Sequence, residues 1–229
     1  MTWHERAINR VWPIILSSCL VWAASISARA GTIDTQLLEQ PWPKQWVKEF
    51  EVGGYAVRWR QHGSRTAGVF AGVRFAAPLE REKAWKLAND YHDIGTMTPG
   101  VTAVRFLEQQ PNRQVIQIDV KVLWKMLRLT FEVEQEPPQA IRFRLANEVL
   151  GEYLGICTFQ EMPPAGTKND QPTTTMEIST WLKPSRPVPV WLLLLVERMT
   201  MLRGVEAFLD SCEPQRGATI AQRSSAASK

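Results

Sequence analysis

The sequence predicts an α+β fold in which a curved antiparallel sheet wraps around one long C-terminal helix. Three observations predict it. The stretch Pro187–Asp210, PVPVWLLLLVERMTMLRGVEAFLD, carries helical spacing and meets no breaker before Pro214. Between Val101 and Lys183, about six consecutive segments alternate apolar and polar residues with the period of a strand. A helix-spaced segment, Leu79–Asp93, separates them from the strands that come before. A sheet with one apolar face must bury it, and only the last helix is long enough to lie across it.

The chain has 229 residues, 45% hydrophobic and 22% charged, enough for one substantial core but not for a second full domain. Part of the apolar content lies at the N-terminus. There, MTWHERAINR carries Arg6 and Arg10, VWPIILSSCLVWAASI is apolar, and Ala28-Arg29-Ala30 sets small residues where a signal peptidase reads. The expectation is a signal peptide over residues 1–30, cut after Ala30, and a periplasmic or secreted protein. Two alternatives stay open. One is an uncleaved membrane anchor, which the Ser17-Ser18-Cys19 interruption and the small-residue ending disfavour. The other is a lipobox, Leu16-Ser17-Ser18-Cys19, with Cys19 lipidated; the apolar LVWAASI that follows speaks against it.

The full chain has 27 basic and 23 acidic residues, a net +4; without Arg6, Arg10, Arg29 and Glu5, the balance is 24 against 22, or +2. So small an excess gives no ground for a nucleic-acid partner, which needs a strongly basic face. Cys157 and Cys212 remain after processing. An oxidising compartment permits a disulfide between them, and two separate thiols fit equally well.

Residues 31–65 read as an N-terminal arm and one extra strand. Pro41 and Pro43 prevent a continuous helix in LLEQPWPKQWVKEF, so this stretch is expected to pack Trp42 and Trp46 on the body. Glu51–Gln61 reads as a strand, with Tyr55, Val57 and Trp59 opposite Arg58 and Arg60, and His62-Gly63-Ser64 as its turn. The next strand, Arg65–Ala77, puts Val69, Ala71, Val73 and Phe75 on one face and ends at Pro78. Helical spacing over Leu79–Asp93 brings Trp85, Ala88 and Tyr91 together, and a short turn follows around Thr96 and Met97.

From Val101 the period is two. VIQIDVKVLW sets Ile116, Ile118, Val120 and Val122 against Gln117, Asp119 and Lys121; LRLTFEVEQE turns Leu127, Leu129, Phe131 and Val133 inward. IRFRLA pairs Ile141, Phe143 and Leu145 against two arginines, YLGICTF makes a further strand, and TTTMEISTWLK ends the series with Met176 and Ile178 inward. PPAGTKNDQP is a solvated loop by its turn formers. The final helix would reach ~33 Å over Pro189–Asp210 at ~1.5 Å per residue, the length of a ten-residue strand. Its apolar face combines Val190, Leu194, Met201, Val205 and Phe208, with Arg203, Glu206 and Asp210 opposite. Residues 213–229 lose periodicity and read as a disordered tail.

One stretch carries a family signature. Val73-Arg74-Phe75-Ala76-Ala77-Pro78-Leu79-Glu80, leading to Ala84-Trp85-Lys86-Leu87, Asp90-Tyr91 and Pro99-Gly100-Val101, resembles the opening of START-like (SRPBCC) proteins of the polyketide-cyclase and coenzyme Q-binding type. By element order the resemblance extends over residues 66–212. It implies a helix-grip fold with an apolar cavity between sheet and helix. Family members bind lipids, sterols, quinones or polyketides there, and some catalyse cyclisation. The arm, the extra strand and the export signal depart from the compact members.

The cavity so implied would draw Leu194, Met201 and Val205 from the helix, Tyr91 and Met97 from the first helical region, and Ile118, Val120, Phe131, Phe143, Met176 and Ile178 from the strands. Arg198 falls within the apolar face on the wheel. Its guanidinium must meet a carboxylate, snorkel to the helix edge, or hold a ligand's polar head. Gly204 beside it permits close approach. His62 and His92 have no metal spacing, there is no phosphate loop, and no metal or cofactor is expected. Asp90, Tyr91, His92 and Asp93 gather acid and base groups that a cyclase would use, and equally form an ordinary polar helix end. The leading expectation is an exported module binding an apolar small molecule or lipid, with no catalytic residue assigned. A cyclase or aromatase, and a structural envelope protein with a filled cavity, are the alternatives; membrane-surface contact and oligomeric state stay open.

Overall fold

Alternating apolar residues dictate the sheet, and its extent is seen in a computed structural model. The model describes residues 32–44, 47–52, 54–91, 100–122, 125–147, 149–162 and 173–227, with backbone alone at 122, 125 and 213–227. The expected signal segment with Cys19, the residues Trp46, His92, Asp93, Thr96 and Met97, and the expected loop at 163–172 lie outside the described residues. From Thr32 onward the chain forms one compact unit.

Nine strands make a single antiparallel sheet: β1 (Val47–Val52), β2 (Tyr55–Ser64), β3 (Gly68–Ala77), β4 (Val101–Gln110), β5 (Arg113–Val122), β6 (Lys125–Glu136), β7 (Ala140–Leu145), β8 (Gly151–Met162) and β9 (Thr173–Pro184). Across the sheet the order is β1-β2-β3-β9-β8-β7-β6-β5-β4. Helix α1 (Arg81–Ala88) links β3 to β4, and helix α2 (Val190–Ala227) follows β9. The concave face carries Val73 and Phe75 of β3, Met176 and Ile178 of β9 and Cys157 and Phe159 of β8, and all of them belong to the core.

Four boundaries differ from the sequence reading. The expected strand Glu51–Gln61 is two strands, since the chain turns at Gly54, whose φ of 80° is readily adopted by glycine. The clear alternation of Tyr55, Val57 and Trp59 masked that hairpin. His62-Gly63-Ser64 is strand, and the turn falls at residues 65–67. Helix α1 stops at Ala88 instead of reaching Asp93, because the Asn89 side-chain amide donates back to the Trp85 carbonyl at 2.9 Å and closes the last turn. Helix α2 runs through to Ala227, so the tail expected to be disordered from Glu213 is helical backbone. Loss of apolar periodicity there reports the absence of a packed face, which is a different property from loss of helix.

Helix α2 packs on β1, β2 and β3. Its buried stripe is Glu197, Met201, Val205, Leu209 and Cys212. Phe208 meets Phe75 edge to face at 5.9 Å.

The arm occupies the opposite, convex side. Ile33 and Leu38 are buried, and the Ile33 N–H donates to Glu134 Oε2 at 2.9 Å. Arg60 donates to the Leu38 carbonyl and to Ser179 Oγ, both at 3.2 Å. The Trp42 indole N–H donates to Glu177 Oε1 at 2.8 Å, while its ring lies against the Arg60 and Arg74 guanidinium carbons, 4.7 and 5.0 Å from the centroid. Glu177 and Ser179 flank Ile178 in β9 and so face away from it. The arm therefore braces the back of the sheet and does not gate the concave side. Trp42→Ala is expected to cost about 2 kcal/mol, through lost aromatic burial and two lost cation–π contacts. Urea midpoints and faster proteolysis within residues 32–44 would register it.

Candidate ligand cavity

Helix α2 sits over β1–β3 and α1 packs on β8 and β9, and between them the concave face of the sheet is left hollow. A cavity of about 390 Å³ fills the space, inside the size range of small-molecule sites. Its floor comes from β5 (Ile116, Ile118), β6 (Phe131, Val133), β7 (Ile141, Phe143), β8 (Tyr153, Cys157) and β9 (Met176, Ile178). Leu87 and Ala88 of α1, with Tyr91 just beyond, close one side; Thr200, Gly204, Val205, Ala207 and Phe208 of α2 close another. Phe131, Phe143 and Tyr153 form an aromatic trio with each pair of ring centroids 6.2 Å apart. Gly155 makes room for it, since a Cβ there would lie 2.0 Å from Phe143 Cζ.

Of the residues expected from sequence, Val205, Tyr91, Ile118, Phe131, Phe143, Met176 and Ile178 line this cavity. Met201 is buried in the core without lining it, and Leu194 and Val120 are half-buried outside it. Met97 lies outside the described residues. Arg198 is a correction: it is exposed, and its guanidinium lies 5.6 Å from the Phe50 ring centroid, reached by snorkelling to the helix edge. The buried charge on this face is its neighbour, Glu197. One residue is about 100° of helix, and a wheel cannot tell which side of the apolar sector the sheet covers more deeply. Asp90 is exposed and does not line the cavity; His62 is exposed on β2.

Among the lining residues that sequence reasoning missed are Phe75, Tyr153, Cys157 and Phe208. The two on β8 had a signal: Tyr153 and Cys157 bracket Gly155 at even spacing, hence on one face.

Two polar groups mark the cavity's ends. At one, Tyr91 Oη donates to Asn89 Oδ1 at 3.2 Å, and Gln135 Nε2 donates to the same oxygen at 2.6 Å. At the other, Thr180 Oγ1 donates to Glu197 Oε2 at 3.1 Å, beside the Tyr153 hydroxyl. Gln135 pairs across the sheet with Ile141, and Ile141 with Cys157, four residues along β8 from Tyr153, so the ends are offset by about 13 Å along the strand direction.

Burial pushes the Tyr91 hydroxyl up to about 12, against a hydrogen bond with Gln135, and raises Tyr153 well above the usual phenol range. It likewise pushes the Cys157 thiol up to about 12. All three are neutral at physiological pH. Cys157 and Cys212 are separate free thiols, and Cys212 Sγ donates to the Phe208 carbonyl at 3.2 Å. Among the described residues, no three His, Cys, Asp or Glu side chains gather as a metal site would need.

A curved antiparallel sheet gripping a C-terminal helix, with a hollow between them, defines the START-like class. The family profile "Polyketide cyclase / dehydrase and lipid transport" matches residues 77–209, more than half of the chain, and the protein belongs to that family. Solved structures agree in fold. The chain is similar to the Zhui aromatase/cyclase from Streptomyces sp. R1128 at 15% identity and TM-score 0.52, over 69% of this chain and 94% of that one. It is similar to a STAR-related lipid transfer protein from Xanthomonas axonopodis at 16% identity and TM-score 0.52, over 73% and 98%. A START superfamily protein from Mycobacterium smegmatis gives 12% identity and TM-score 0.52, over 64% and 98%. No curated protein shows significant sequence similarity to the chain.

Proposed function

We propose that this protein is an exported carrier that holds an apolar small molecule of lipid, isoprenoid or quinone-like class in the cavity beneath α2. One observation carries the reading: the cavity has apolar walls, and the tyrosines and thiol among them are neutral. Binding would be driven by desolvation, worth roughly 25 cal/mol per Å² of apolar area removed from water, with no bond made or broken. The lipid-transport part of the family's description and the likeness to a lipid transfer protein support it. The cyclase alternative keeps the likeness to an aromatase/cyclase; of its acid and base groups Asp90 is exposed, Tyr91 lines the cavity, and His92 and Asp93 lie outside the described residues.

Export rests on the pattern of residues 1–30. N-terminal sequencing of the protein from its native host tests it: Gly31 is expected as the first residue. A lipid-modified Cys19 would show the lipoprotein route instead, and an intact Met1 would overturn export by cleavage.

Gly204 provides the test of binding. It lines the cavity, and a Cβ placed on it would meet nothing within 4 Å. Gly204→Trp should therefore fold normally and occupy the ligand's space, weakening uptake of Nile red, a neutral apolar dye, by more than about tenfold. Gly204→Ala should keep uptake and stabilise by about 0.5–1 kcal/mol through helix propensity. Equal dye affinity in wild type and Gly204→Trp would sink the cavity as the binding site.

A further inference from the structure

Glu197 is the one carboxyl that α2 turns toward the sheet in its buried stripe, 9% exposed. It stands one turn before Thr200 and Met201 and two turns before Gly204, on the side of the helix that borders the cavity. One of its oxygens accepts from Thr180 at 3.1 Å. Among the described residues no ion pair reaches it, and no nearby cation offsets its burial. The Tyr153 ring lines the cavity while its hydroxyl meets Thr180 and feels the charge of Glu197. Three elements, β8, β9 and α2, thus gather a carboxyl and two hydroxyls directly behind the wall that the Tyr153 ring gives an otherwise apolar space.

We propose that Glu197, Thr180 and Tyr153 form a seat for the hydroxyl of a neutral, long apolar alcohol, and that the same group rejects ligands ending in a carboxylate. The inference rests on the carrier reading and names its ligand class. A hydroxyl suits the seat because it donates to a carboxylate oxygen while accepting from a neighbouring O–H. A hydrocarbon of the same length leaves those groups without a partner in a desolvated place. A fatty-acid carboxylate sets a second negative charge beside Glu197, and among the described residues the cavity walls hold no lysine or arginine to balance it. An alkylammonium would have to give up its hydration at the end of an apolar cavity.

The discrimination should follow pH. Burial pushes Glu197 up to about 7, so the repulsion is present at pH 8 and relaxes at pH 5.5 as the carboxyl takes up its proton. The groups facing it from β8 and β9 are Tyr153 and Thr180. The helix-facing side of β1–β3 carries apolar Phe50, Val57, Trp59, Ala71 and Val73, with Tyr55 and exposed Lys48 along it and Arg198 of α2 over Phe50.

Displacement of Nile red from the purified mature protein by decan-1-ol, decanoate, decane and decylamine tests the proposal. For wild type at pH 8, decan-1-ol should compete about tenfold better than decanoate and several-fold better than decane, and the gap to decanoate should shrink at pH 5.5. With displacement by each competitor read against the variant's own dye affinity, Glu197→Gln should lose most of that gap and its pH dependence. Thr180→Val should weaken decan-1-ol while leaving decane unchanged, which keeps the test available if Glu197→Gln folds poorly. An undiminished gap in Glu197→Gln, or decylamine outcompeting the alcohol, overturns the seat while the carrier reading stands. Failure of wild type to take up the dye overturns both.

Discussion

Glu197→Gln should stabilise the protein by about 3 kcal/mol at pH 8 and leave it nearly unchanged below pH 4.5. The sign follows from the two pKa values. Unfolded, the carboxyl titrates near its ordinary value of 4.5; folded, burial raises it to about 7 against the opposing Thr180 hydrogen bond. Below 4.5 both states hold the proton and the group has no effect on the balance. Between 4.5 and 7 the native state holds a proton that the unfolded chain has released, so wild-type stability falls as pH rises. Above 7 the loss is complete, because the folded protein then carries an ionised carboxylate in a buried place. Glutamine keeps the shape and does not titrate. Urea midpoints of both proteins at pH 4.5, 6 and 8, with equal m-values, would measure the widening difference. A difference that stays constant across this range would contradict burial of Glu197. Other carboxylates, such as Asp119 between Arg105 and Arg128, impose the opposite slope, and subtracting the variant removes them.

Gly155→Val is expected to destabilise by about 1–3 kcal/mol, as overpacking does, and to weaken Nile red uptake by tenfold or more. The added Cβ would sit 2.0 Å from Phe143 Cζ and 2.2 Å from its Cε2. The ring has one direction in which to yield, away from β8 and into the cavity, breaking its contacts with Phe131 and Tyr153. Phe143→Leu in the same chain should recover much of both losses, a coupling that a double-mutant cycle measures. Additive effects would show that the two residues do not compete for that space.

These two sites show where sequence was informative. The alternation of Ile116 with Ile118, of Phe131 with Val133 and of Met176 with Ile178 reveals the concave face, since a strand's side chains alternate whatever it packs against. Gly54 was legible as a turn but outweighed by the stronger alternation after it. Gly155 could not be read as a cradle, because Phe143 lies on another strand and only the β7–β8 register sets one over the other.

Period and breakers by themselves determined the α+β class, the strands and the long helix after Pro189, because these depend on residues within a few positions of one another. The tertiary structure decided which half of the sheet the helix covers, and hence where the hollow lies. It also decided that the arm braces the convex face, and that Glu197, rather than Arg198, is the charge held inside. Each of those outcomes depends on contacts between residues far apart in the chain, such as Trp42 with Glu177 and Tyr153 with Glu197. Local periodicity contains no information about such pairs until the sheet's curvature brings them together.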